Sequence, residues 1–126
     1  YRFVVAEHAN QGGTVVAGYV CYGLSPLTDA VYDIYWLAVD PRVQRGGVGR
    51  ALLHAAEAEV LRAKGRMILI ETGGKPSYSP TRRFYQREGY VEIARIPDFF
   101  TVGDDKVVFA RRLDGRPLGR PGGIPA

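Results

Sequence analysis

The chain has 126 residues, 46% of them hydrophobic and 24% charged, with a formal net charge of +4 at pH 7. That length suits one domain with a buried core, and that balance excludes a disordered chain. No apolar stretch reaches the roughly 18 residues a spanning helix requires, so no membrane partner is expected. The opening "YRFVVAEHANQGG" lacks the basic, apolar and small-residue regions of a secretion signal. It also lacks an initiator Met, and the chain is expected to begin part-way into a longer protein. Cys21 is the single cysteine, which rules out an internal disulfide and favours a reducing, cytoplasmic location. A pI near 9.4 suits an anionic ligand, or simply a solvated basic surface.

"YRFVVAEH" and "TVVAGYVCYGL" are rich in Val, Tyr and Phe and flank the turn residues "NQGG", which predicts an antiparallel hairpin. After "SPLTDA", the run "VYDIYWLAV" reads as a third strand, too continuously apolar for an exposed edge. From Gly49 to about Ala63, the residues Leu52, Leu53, Ala56 and Val60 fall on one helical face while Glu57 and Glu59 point away. Gly65 stops that helix. "MILIET" reads as a short buried strand. Ser79 as N-cap and Pro80 as first residue predict a helix over "PTRRFYQRE", closed by Gly89. "YVEIARI" and "KVVFARRL" read as alternating strands around a loop "PDFFTVGDD". The expected organisation is one domain over residues 1–113 and a flexible tail over residues 114–126, which hold too few apolar side chains to pack.

The stretch "QRGGVG", Gln44 to Gly49, stands between the third strand and the first helix. Glycines there let backbone N–H groups approach a ligand, and a helix N-terminus adds partial positive charge. Together they form a phosphate cradle, to which Arg45 and Arg50 would add charge-assisted contacts suited to a pyrophosphate. The same glycines also read as a plain turn, since so short a pattern recurs by chance. A nucleotide triphosphate loop is excluded, because no Gly-Lys-Ser/Thr occurs. A dinucleotide fold is disfavoured: Leu52 stands at the third glycine position and seven residues separate Val39 from Gly47, where that motif turns at once.

Gln44-x-x-Gly47-x-Gly49 matches the Q/R-x-x-G-x-G/A signature of the GNAT superfamily of acetyl-CoA-dependent N-acetyltransferases, and "YWLAVDPRVQRGGVGRALL" resembles its cofactor segment. About 40 residues on, "FYQREGY", Phe84 to Tyr90, resembles the family's F-Y-x-x-x-G-F/Y segment. Two motifs in order on the right elements are more specific than either alone. The resemblance covers about residues 1–113. It implies a mixed α/β (α+β) fold, a mostly antiparallel central sheet flanked by helices, with the family's usual N-terminal strand and first helices missing. It also implies acetyl-CoA as acetyl donor. The backbone of Leu37, Ala38 and Val39 would pair with its pantetheine arm, and Gln44, Arg45, Gly46, Gly47, Val48, Gly49 and Arg50 would hold its pyrophosphate.

Direct acetyl transfer needs a neutral amine and a stabilised or protonated thiolate. Tyr85 is the family-matched acid, or else a tyrosine anchoring a short helix to the sheet. Asp33 resembles the carboxylate that some members use to remove an amine proton, or else is a plain turn-proximal aspartate. By the two-residue period it shares a strand face with Tyr35 and Leu37. Glu71, at the end of "ILIE", is the alternative base or an anchor for the amine. His8, His54 and Cys21 lack metal-ligand spacing, so no metal is expected. The acids and aromatics of "DFFTVGDD", Asp98 to Asp105, read either as a receiver for a cationic amine or as a solvated loop. The expected function is N-acetyl transfer from acetyl-CoA to a primary amine of an unidentified acceptor. The alternative is a non-catalytic CoA-binding regulatory module. Nucleic acid is a disfavoured partner, and a homodimer is left open.

Overall fold

The structure, a computed structural model, describes residues 1–118, so most of the expected tail lies outside the described residues. The chain divides into two compact units, Tyr1–Arg66 and Met67–Ala126.

The first unit contains strands β1 (Arg2–Asn10), β2 (Gly13–Leu24) and β3 (Val31–Val39) and helix α1 (Val48–Arg62). β1 and β2 pair antiparallel from Arg2↔Tyr22 to Asn10↔Gly13, closing over two residues as the turn chemistry predicts. β3 pairs antiparallel with β2 from Leu24↔Tyr32 to Gly18↔Val39. Helix α1 packs on all three strands and buries Leu52, Leu53, Ala56 and Val60. At Gly18 on β2 a Cβ would stand 2.6 Å from the Ala38 carbonyl oxygen of β3 and 3.0 Å from Leu52 Cδ1 of α1. Any side chain at that position would force the end of β3 away from β2 and crowd Leu52.

Three local expectations need correction here. Glu57 is only 6% exposed and does not point away: it follows Leu53 by four residues and precedes Val60 by three, which puts it inside the buried stripe. The left-handed residue ending α1 is Lys64 (φ 62°), not Gly65. Lys64 N–H donates to Leu61 O and Gly65 N–H to Val60 O, a Schellman-type closure with lysine where glycine is usual. β3 is not buried throughout, since Trp36 is 62% exposed; α1 covers one face of the three strands.

The second unit contains β4 (Met67–Gly73), α2 (Ser79–Arg87), β5 (Val91–Thr101) and β6 (Asp104–Arg112). β6 pairs antiparallel with β4, from Met67↔Arg112 to Gly73↔Lys106, and with β5. Ile68, Ile70, Tyr85, Tyr90, Val107 and Phe109 are buried. A short 3-10 turn, Pro76–Tyr78, runs into α2, so Tyr78 takes the N-cap and Ser79 is already helical. The expected loop "PDFFTVGDD" is mostly strand: β5 continues to Thr101, the register shifts between Ile96 and Thr101, and only Val102 and Gly103 form the turn. The acids organise this arm. Asp98 accepts from Gly103 N–H at 2.8 Å and Asp105 from Asp98 N–H at 3.0 Å. Within each unit, antiparallel strands combine with a helix, as expected for the mixed α/β class.

Replacing Lys64 by glycine should relieve its left-handed backbone and raise stability by about 0.5–1 kcal/mol in urea denaturation. Leu53→Ala, at a fully buried position, should lower it by about 2–5 kcal/mol. An unchanged midpoint for Lys64→Gly would mean that lysine carries no strain there.

Candidate active site

The last residues of β3, Leu37, Ala38 and Val39, pair with Val20, Tyr19 and Gly18, and Asp40 N–H continues the ladder to Ala17 O at 2.8 Å. The chain then forms a 3-10 turn, Pro41–Gly46. Asp40 caps it: its carboxylate accepts from Arg42 N–H at 2.9 Å and pairs with the Arg42 guanidinium at 2.7 Å. The Arg42 hydrogen bonds hold the Asp40 carboxyl down at about 2. The signal for this cap was present in Asp40-Pro41, an N-cap residue followed by proline at N1.

Gly47 (φ 74°) ends that turn and caps α1, a backbone conformation that favours glycine. A Cβ on Gly47 would meet nothing within 4 Å, and one on Gly46 only Val48 Cγ2 at 4.0 Å, so this backbone is open to a ligand. The first helical bond runs from Ala51 N–H to Gly47 O at 3.0 Å; the amides of Val48 and Gly49 precede the ladder and have no acceptor within the helix. No acidic residue stands in the first turn of α1, so nothing opposes the helix dipole in attracting an anion. Arg50 lies in that turn and is exposed. Gln44 and Arg45 fall in the 3-10 turn, with side chains outside the described residues. The open glycines and unclaimed amides fit the pyrophosphate of acetyl-CoA.

Asp33 stands upstream on β3, and the strand between it and the cradle is not regular. Ile34 pairs with Tyr22 but Trp36 with Cys21, leaving Tyr35 as a bulge residue. The bulge overturns part of the two-residue reading. Asp33 faces the same side as its partner Gly23, whereas Leu37 faces the side of Val20, where α1 packs. Asp33 and Tyr35 do come together: the Tyr35 hydroxyl hydrogen-bonds the Asp33 carboxylate, and burial followed by that carboxylate raises the phenol. The Tyr1 ring meets Tyr35 edge-on at 5.0 Å.

In the second unit, Tyr85 on α2 is 6% exposed, its ring 6.3 Å from Phe109 and 6.1 Å from Tyr90. Its carbonyl accepts from Tyr90 N–H at 3.0 Å, so the residue does anchor the helix. Burial pushes its phenol up to about 12, which keeps it a proton donor at neutral pH. Glu71 is not on the same face. Phe109 pairs with Ile70 and Val108 with Glu71, so alternation turns Glu71 to the opposite side, where Lys106 pairs with it at 3.1 Å. Lys106 also lies 4.6 Å over the Phe99 ring. Asp105 pairs with Arg95 at 3.2 Å, and Asp104 accepts from Gly74 N–H at 3.1 Å. The acids and the aromatic face expected as an amine receiver are thus engaged by groups of this chain.

Arg82 escaped sequence reasoning. Its guanidinium donates to Gly73 O and Lys75 O, each at 2.9 Å, and to Ser79 Oγ at 3.1 Å, tying the end of β4 to the first turn of α2, one turn before Tyr85. No spacing rule signals such a clamp, because its acceptors are mainly carbonyls. Among the described residues, no group of three or more His, Cys, Asp or Glu could hold a metal ion, and no helix is long and apolar enough to cross a membrane.

Residues 1–92 match the family model of the acetyltransferase (GNAT) domain. A crystal structure from Desulfovibrio desulfuricans, assigned to the GNAT acetyltransferase family, is 44% identical with a TM-score of 0.76, over 77% of this chain and 61% of that one. An acetyltransferase from Bacillus cereus is 27% identical with a TM-score of 0.69, over 89% and 74%. The S-(2-succino)cysteine N-acetyltransferase of Bacillus subtilis is 31% identical over 70 residues, which are 56% of this chain and 42% of that enzyme. The chain therefore spans less than two thirds of both the Desulfovibrio and the Bacillus subtilis relatives. By a family match that reaches from the first strand through the glycine cradle and α2, the chain belongs to the GNAT family of acetyltransferases.

Proposed function

We propose that this protein is an N-acetyltransferase that moves the acetyl group of acetyl-CoA directly to a primary amine. The observation that carries the reading is the cradle at the start of α1: open backbone at Gly46 and Gly47, amides of Val48 and Gly49 ahead of the helical ladder, and no acid in the first turn. The backbone of Leu37, Ala38 and Val39 takes the pantetheine arm, and the segment from Gln44 to Arg50 takes the pyrophosphate. Acetyl-CoA supplies the activated acetyl group. Tyr85 holds a proton at its hydroxyl for the departing thiolate, and the family-like F-Y-x-x-x-G-Y segment, Phe84 to Tyr90, supports that role. Asp33, beside the Tyr35 hydroxyl, is the proposed base for the amine proton, directly or through water; Glu71 is the alternative. A cytoplasmic location goes with this reading, supported by the free, buried thiol of Cys21.

Acetyl transfer from labelled acetyl-CoA to a panel of amines, with amino-acid derivatives bearing a free amine first, tests the activity. Turnover on no member, alongside tight acetyl-CoA binding, would leave only a binding module. Acetyl-CoA at about 100 times its Kd should add roughly 2.7 kcal/mol of stability. Gly49→Val should remove most of that gain in thermal melts by crowding the cradle amides with a β-branched side chain. A preserved gain would mean that the glycine stretch is only a turn.

Tyr85→Phe should keep acetyl-CoA affinity while kcat falls about 10²- to 10⁴-fold. Turnover within about threefold of wild type would assign Tyr85 to structure alone. The same variant tests the burial. The folded phenol titrates near 12, against 10.0 when solvated, so the unfolded chain loses this proton first. Stability therefore falls as pH rises from about 10 to about 12, by about 2–3 kcal/mol from this group. The phenylalanine variant should lack that part of the alkaline loss.

A further inference from the structure

The first unit holds a cavity of about 260 Å³ lined by Arg2, Tyr22, Tyr32, Glu59, Arg62 and Ala63. It sits at the C-terminal end of α1, a helix of 15 residues, hence about 22 Å along the axis from the glycine cradle. The walls belong to regular elements. Arg2 pairs in register with Tyr22 and Tyr32 with Leu24, and α1 contributes its last turn. The lining is polar in a one-sided way. Arg62 and Glu59 are ion-paired with each other, which neutralises the one carboxylate present. Beyond the backbone pairing of Arg2 with Tyr22, its guanidinium has no ion pair or hydrogen bond among the described residues. The Tyr22 hydroxyl feels Glu59, Arg2, Arg62 and Tyr32 together, so these groups converge on one space.

We propose that this cavity is a binding site for a small aromatic carboxylate, with Arg2 gripping the carboxylate, the hydroxyls of Tyr22 and Tyr32 donating to it, and the two tyrosine rings flanking the aromatic body. The choice of anion follows from the surroundings. An unpartnered guanidinium and two phenols offer donors in the planar fork that matches a carboxylate. The carbonyls at the end of α1 carry partial negative charge, which disfavours a multiply charged phosphate. The volume lies below the roughly 300 Å³ at which drug-sized ligands begin, so the ligand is small. The inference does not depend on the acetyl-transfer reading, since none of these residues belongs to the cradle.

Benzoate is the probe, titrated into the isotope-labelled chain and followed by amide chemical shifts. Saturable shifts at Tyr22, Tyr32 and Ala63 are expected, with a Kd of about 1 mM or tighter. Arg2→Gln should weaken binding at least about tenfold, with the rest of the spectrum unchanged as proof of folding. Tyr32→Phe should weaken it by a smaller factor. The absence of saturable shifts, equal affinity in the folded Arg2→Gln variant, or saturation of the same amides by inorganic phosphate at similar affinity would each overturn the proposal.

Discussion

The close approach of β2 to the end of β3 at Gly18, beneath Leu52 of α1, is the constraint on which the first unit depends. With the Ala38 carbonyl 2.6 Å and Leu52 Cδ1 3.0 Å from where a Cβ would be, strand, strand and helix meet without an intervening side chain. From that contact the chain has the stretch from Val39 to Val48 to cover. The 3-10 turn capped by Asp40 and the left-handed Gly47 cover it with the backbone held in one path. The direction of the cradle backbone is therefore a product of packing as much as of its glycines: amides can serve a ligand only if their direction is set before it arrives.

In the second unit a comparable role falls to polar contacts with carbonyls and amides. Arg82 binds two carbonyls and a hydroxyl, and buried Asp104 receives the Gly74 amide. The Arg82 bonds satisfy carbonyls at and beyond the end of β4, and the Gly74 amide is shared between Asp104 and the Asp105 carbonyl of β6 at 2.8 Å. They also give α2 a fixed start, so the position of the Tyr85 ring is determined at both ends of its helix.

Much of this architecture was legible from residues. The hairpin around "NQGG", the limits of β3 and the helix after the glycine stretch follow from period, turn chemistry and glycine placement. The misreadings share a physical origin in tertiary context. Glu57 was assigned by charge although its spacing from Leu53 and Val60 put it in the buried stripe. "PDFFTVGDD" was read as loop by composition, yet the acids in it bind amides of the same arm and let the strand continue. Lys64 took a conformation that sequence rules assign to glycine, because the closing hydrogen bonds and packing at the end of α1 outweigh its local preference. The glycine cradle was readable because it is local in the chain. The surroundings of Asp33 and Glu71 were not, because they are set by neighbouring strands.

The bulge at Tyr35 gives β3 an extra residue relative to β2, so the strand holds one residue in reserve. In a regular ladder, loss of one residue slips the pairing by one place and turns the side chains beyond it to the other face. Here, deletion of Tyr35 would leave Ile34 opposite Tyr22 and Trp36 opposite Cys21, an even ladder with Asp33 still on the side of Gly23. A single deletion at the bulge should therefore leave the facing of Asp33 unchanged, a tolerance to length that a regular strand lacks.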